Sequence, residues 1–162
     1  IGDWSSDVCS SDLSNVTTME NMFSHMKYFN KSLNNWNISN VKDMSYMFAH
    51  AESFNQNLNN WNVSNVKNMS NIFLDTKSFN QPLNKWNVSN VKNMDSMFYS
   101  AISFNQDLNK WNVFNVRNMN SMFFNTLSFN KDISSWDVSN VIYNYGIFEN
   151  TINIKEEYKP NF

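Results

Sequence analysis

Glycine and proline are nearly absent from this chain of 162 residues, with two of each. Two glycines cannot build a Gly-rich phosphate loop, which needs several backbone positions free of Cβ beside the phosphates. Nucleotide-dependent enzymes are therefore not expected. One cysteine allows no internal disulfide and no cysteine zinc cluster. Charged residues make up only 16% of the chain, and the formal net charge of -2 supplies no field that would gather nucleic acid. No run of 18 apolar residues is present to cross a bilayer as a helix. What is present is apolar residues at 41%, aromatics at 16%, ten methionines and 33 asparagines. That is ample core material and no signature of disorder.

The asparagines and aromatics recur in register. From Ser14 onward one motif returns every 25 residues, marked by Trp36, Trp61, Trp86, Trp111 and Trp136. Val41, Val66, Val91 and Val116 form another column, and so do Phe48, Phe73, Phe98 and Phe123. The unit reads S-N-V-x-x-M-x-x-M-F-x-x-A-x-x-F-N-Q-x-L-x-x-W-x-V. Self-similarity at such a period is the signature of an array in which each unit buries its apolar side only against its neighbours.

The first thirteen residues, IGDWSSDVCSSDL, fall outside this register, since Trp4 lies 32 residues before Trp36. DWSSDVCSSDL resembles a translated sequencing adapter, so residues 1–13 are set aside from fold reasoning. Leu13 nonetheless suits the column of Ile38, which blurs the junction. Authentic sequence is expected to begin inside a repeat, with the repeat array over residues 14–154. At the other end, Asn144 and Gly146 interrupt the unit and residues 155–162 form a charged tail. That tail is read either as a cap or as a truncated unit.

Two periodicities divide the unit. Met69, Ile72, Phe73, Thr76 and Phe79 follow the i, i+3, i+4 spacing of a helix stripe. Trp61 and Val63 are spaced by two, as on one face of a strand. The expected fold is an α/β solenoid of about five coils, with one parallel sheet and short helices. The spacing L-x-x-W-x-V-x-x-V in Leu58 to Val66 resembles the leucine-rich-repeat signature. Units such as DMSYMFAHAESFNQNLNNWNVSNV resemble the BspA-type leucine-rich repeat of bacterial surface proteins and lipoproteins. The resemblance covers Ser14 to about Ile154. It implies a cell-surface or secreted protein whose array mediates adhesion or other binding, and it transfers no catalytic residue.

Several columns invite a chemical reading. The Trp and Met columns alternate with aliphatic residues and read as core rather than as sugar platforms or metal ligands. His25, His50 and Asp75 share a column. At about 5 Å per coil its first and third members lie about 10 Å apart, too far to share one metal with bonds near 2 Å. The column therefore reads as solvent-facing, and no metal or cofactor is expected. Lys42, Lys67, Lys92 and Arg117 form a basic column, which is either tolerated in water or serves as an anion stripe. The outward positions of the expected strand, the middle residue of Trp-x-Val and the residue after Val, form a polar ladder that includes Asn62, Ser64, Asn87, Ser89, Asn112, Phe114 and Asp137. In leucine-rich-repeat folds that ladder is the concave binding face, and its amides and hydroxyls suit glycan or peptide backbone. Asn37, Asn62 and Asn87 also lie in N-x-S sequons.

These columns point to a fragment of a cell-surface repeat protein that binds a host or matrix protein or a glycan. The alternative is a spacer module with no ligand of its own. A lattice binder is disfavoured because a curved face matches a flat surface poorly. No nucleophile, base and orienting residue recur together, so the chain is not expected to be an enzyme.

Overall fold

The computed structural model describes residues 13–162, so the reading of residues 1–13 as an adapter lies, apart from Leu13, outside the described residues. The chain winds into stacked coils, each one repeat long. Thr18, Asp43, Asn68, Asn93, Asn118 and Tyr143 form single parallel bridges, each to the equivalent residue of the next coil. Five full coils and a shorter sixth result.

The expected helices and parallel sheet are not there. Among the described residues the only helix is one 3-10 turn, Glu156–Tyr158, and pairing never extends beyond isolated bridges. The segment read as a helix is a series of consecutive turns. Ile72 N–H donates to Met69 O, Leu74 N–H to Asn71 O and Thr76 N–H to Phe73 O. The N–H groups between them leave the coil: those of Met69, Asn71, Phe73 and Asp75 donate to Asn93, Asp95, Met97 and Tyr99 of the next coil at 2.7–3.0 Å. Alternate N–H groups thus close turns within a coil and join it to its neighbour, so none is left for the i to i-4 ladder of an α-helix.

Two columns of left-handed residues make this possible. Asn21, Tyr46, Asn71, Ser96, Ser121 and Gly146 have φ between +50° and +62°. His25, His50, Asp75, Ser100, Asn125 and Asn150 lie between +53° and +61°. A right-handed helix cannot pass through such a residue, and Asn, Asp, His and Gly are the types that enter this region most readily. The i, i+3, i+4 apolar spacing survives because successive three-residue turns also return side chains to one side. Met69, Ile72, Phe73, Thr76 and Phe79 are all fully buried.

The Trp-x-Val half is likewise not a strand. Trp61 N–H closes a turn on Leu58 O at 3.0 Å, and Val66 N–H closes one on Val63 O at 2.9 Å. Neighbouring coils are joined there through side chains instead. The indole Nε1–H of Trp61, Trp86, Trp111 and Trp136 donates to the carbonyl of Leu33, Leu58, Leu83 and Leu108 in the preceding coil, at 2.9–3.1 Å. All four of these tryptophans are buried, which agrees with the core reading of their alternation with valine.

Aromatic rings stack along the array. Phe73 lies 5.8 Å from Phe48 and 5.7 Å from Phe98, while Phe79 lies 6.0 Å from both Phe54 and Phe104. Within a coil, Phe73 and Phe79 stack at 4.0 Å. Each ring is thus covered above, below and beside, and the inner phenylalanines have no exposed surface. Leu13 packs against this core and accepts the Val16 N–H at 2.9 Å.

Candidate functional site

Asparagine side chains do three separate jobs along the stack. In the first column, the Oδ1 of Asn30, Asn55, Asn80 and Asn105 accepts the backbone N–H of Asn55, Asn80, Asn105 and Asn130 at 2.9–3.0 Å. Gln56, Gln81 and Gln106 donate Nε2 to the same oxygens at 2.8–3.1 Å. In the second, the Nδ2 of Asn65, Asn90, Asn115 and Asn140 clamps the carbonyl of Ser39, Ser64, Ser89 and Phe114 in the preceding coil at 2.7–3.0 Å. In the third, an Asn or Asp oxygen accepts the N–H two residues on, as Asn68 does from Ser70 and Asn118 from Asn120. The first two columns tie neighbouring coils together, and the third shapes turns. Sequence reasoning passed over the clamping roles. Their signal was an Asn at the same two places in five successive repeats, Asn30 to Asn130 and Asn40 to Asn140, which a compositional bias toward Asn would not place in register.

The polar ladder falls in the third class. Asn62, Asn87, Asn112 and Asp137 stay exposed, but their Oδ1 atoms accept the backbone N–H of Ser64, Ser89, Phe114 and Ser139 at 3.1–3.2 Å. Ser64 Oγ and Ser139 Oγ donate to the same oxygens. The two hydrogen bonds from Ser139, side chain first and backbone second, outweigh slight burial and hold the Asp137 carboxyl below its ordinary range. With no sheet there is no concave strand face, and the ladder instead runs along one side of the stack. Phe114 stands on it with 47% of its surface exposed. Its backbone is held at both ends, by Asn112 Oδ1 on its N–H and Asn140 Nδ2 on its carbonyl.

Lys42, Lys67, Lys92 and Arg117 form a straight exposed row. The N–H of Lys67, Lys92 and Arg117 donates to the carbonyl of the preceding member at 2.8–2.9 Å. Among the described residues none of the four takes part in an ion pair; Arg117 Nη1 instead donates to Asn140 O and Oδ1, both at 3.3 Å. Lys27 and Lys77, in another column, pair with Glu52 at 3.6 and 3.3 Å.

His25 and His50 stack with centroids 4.5 Å apart, and His50 Nδ1 lies 3.3 Å from Asp75 Oδ2. Left-handed backbone accounts for the residue types in this column. No group of three or more His, Cys, Asp or Glu among the described residues is placed to hold a metal ion, and no helix there is long and apolar enough to cross a membrane.

A family model described as "Mycoplasma protein of unknown function, DUF285" matches residues 2–101 and again residues 64–161. The chain belongs to the DUF285 family. Two overlapping matches along one array agree with a repeat protein, and the matched family has no stated function. No curated protein and no solved structure matches the chain. The BspA-type likeness therefore stays a resemblance of the repeat unit, and the strand-and-helix architecture it implied is replaced by stacked turns.

Proposed function

We propose that this DUF285 array is a non-catalytic binding module displayed at a cell surface, engaging a protein or glycan through the side that carries Phe114. The observation that supports this reading is the ring itself. It is the one large apolar side chain with more than a third of its surface exposed in the polar ladder, and its rung is clamped to both neighbouring coils. A rigidly held aromatic buries area on contact at little entropic cost. Asn87, Asn112 and Asp137 stand in the same ladder and are exposed. The resemblance to BspA-type surface proteins supports secretion or surface display and an adhesive role.

A glycan and matrix-protein array probed with the chain tests the reading. Phe114→Ser places the residue of neighbouring coils in this column, so it should leave the fold unchanged. It should weaken binding to any captured ligand by about 1–2 kcal/mol. Unchanged affinity would move the contact to the basic column, where Lys67→Glu with Lys92→Glu should abolish binding in a salt-dependent way. A second reading, a spacer with no ligand, draws on the ladder's acceptor oxygens being already engaged in turns. Absence of any captured ligand favours it.

A further inference from the structure

Charge is distributed in two opposite ways along the stack. In the column of Lys27, Glu52 and Lys77 the signs alternate, and both lysines pair with Glu52 at 3.6 and 3.3 Å. The column of Lys42, Lys67, Lys92 and Arg117 repeats one sign in four successive coils, although like charges set opposite each other on bridged chains destabilise the pairing. No acidic residue stands within two positions of Lys67, Lys92 or Arg117 in the chain. Asp43, beside Lys42, is held instead by Ser45 N–H, Ser45 Oγ and Asn68 Nδ2, which donate to its carboxylate at 2.7–3.1 Å. Among the described residues the row thus has no counter-charge of its own.

Backbone hydrogen bonds hold the row straight. Lys42 O accepts the N–H groups of Lys67 and Asn68 at 2.8 and 3.3 Å, and Lys67 O and Lys92 O accept the equivalent pair from the coil that follows. At about 5 Å per coil, four cations lie in a line about 15 Å long and one residue wide. Thr17 and Ile142 bound it in the same column.

The flanks of the row decide which anion suits it. Two positions before the cations, Asn65, Asn90 and Asn115 are exposed. Their Nδ2 groups clamp carbonyls of the preceding coil, and their Oδ1 atoms receive no donor from a described residue. Such amide oxygens accept from hydroxyls. No aromatic residue stands within two positions of any of the four cations, whereas single-stranded nucleic acid is held on aromatic platforms. The neighbouring valines and methionines are buried, so no apolar side chain beside the row is free to enter a membrane surface. A narrow line of cations edged by hydroxyl acceptors matches a linear sugar polymer that carries anions at intervals and hydroxyls between them.

We propose that Lys42, Lys67, Lys92 and Arg117 bind a linear sulfated polysaccharide lying along the stack, at a site separate from the contact at Phe114. The sulfates pair with the cations, and the Asn65, Asn90 and Asn115 oxygens accept from sugar hydroxyls. Arg117 is the fixed end, because its Nη1 donates to Asn140 O and Oδ1 at 3.3 Å. The lysines, compact charges on flexible stems, follow the spacing of the sulfates.

Heparin oligosaccharides of increasing length, titrated onto the chain by calorimetry at low salt, should bind with an affinity that rises with length and levels once the fragment spans the row. The affinity should fall with salt with a log–log slope of about 3, the value for four contacts on a flexible polyanion. Lys67→Gln with Lys92→Gln should weaken binding at least about tenfold and roughly halve that slope. Lys31→Gln with Lys110→Gln removes the same net charge outside the row and should leave the affinity within about twofold. Reductive methylation of the parent protein, read by mass spectrometry, needs no variant: bound heparin should shield Lys67 and Lys92 and leave Lys31 and Lys110 reactive. A parent that does not bind heparin, equal losses in the two double variants, or equal methylation of the four lysines overturns the proposal. So does binding of single-stranded DNA or of phosphatidylserine vesicles as tight as that of heparin, which assigns the row to phosphate polymers or to a lipid surface.

Discussion

Ser121 separates a chain of turns from a helix by energetics alone. Its φ is +50°, its N–H donates to Tyr145 O at 2.8 Å and its carbonyl accepts from Phe124 N–H at 3.0 Å. A Cβ in the left-handed region costs roughly 1–2 kcal/mol. Ser121→Gly removes that cost and gives back about 0.5–1 kcal/mol through the freer unfolded backbone. The balance is a stabilisation of about 0.5–1 kcal/mol. Ser121→Val places a β-branched side chain in the same region and should destabilise by at least about 1 kcal/mol. Ser121→Asn should fall between them, since Asn enters this region readily and occupies it at Asn71 in the same column. A helix reverses the order: Gly would be the worst of the set by about 0.5 kcal/mol relative to Ser, and Val nearly equal to Ser. Urea unfolding followed by tryptophan fluorescence, with slopes compared among variants, reads these differences directly. Glycine less stable than both serine and valine would refute the turn geometry.

Three further outcomes follow from the packing. Trp86→Ala, at the middle of the stack, should cost about 3–5 kcal/mol in the same assay, whereas Trp86→Phe should cost about 1–2 kcal/mol because Leu58 O keeps the Trp61 N–H at 3.0 Å. Asn90→Ala should cost about 0.5–1 kcal/mol by losing the clamp on Ser64 O; Asn90→Asp should cost more at neutral pH, because it sets a carboxylate against that carbonyl. Burial opposes ionisation of Asp43, but hydrogen bonds from Ser45 Oγ, Ser45 N–H and Asn68 Nδ2 outweigh it and hold the carboxyl below its ordinary value. Its stabilising contribution is therefore present above the unfolded value of about 3.9 and is lost as pH falls through the lower folded value. Asp43→Asn, the residue of the next coil, should flatten that acid limb in a pH series of unfolding midpoints.

The repeat, its length and its core were legible in the sequence, because burial repeats wherever a column is apolar. Trp86 beside Val88, and Phe73 beside Phe79, announce the inside of the array whatever the backbone does between them. For the same reason the number of coils followed from the spacing of the tryptophans. Backbone conformation did not follow. Met69, Ile72, Phe73 and Thr76 have the same spacing on a helix and on consecutive turns, and only the destination of each N–H tells the two apart. That destination lies in another coil, 24 residues away, so no local pattern records it. Of the residues that decide the matter, Asp75 read as a solvent-facing position in the sequence and Asn71 carried no distinct signal. In the fold their positive φ ends every nascent helical turn. The asparagine columns divide likewise. Their recurrence was visible, but Asn65 and Asn80 became inter-coil ties only once stacking brought a carbonyl and an N–H of the neighbouring coil within reach. The sequence by itself determined what is buried and how often. Stacking alone decided which hydrogen bonds carry the backbone, because each coil's partners exist only in its neighbour.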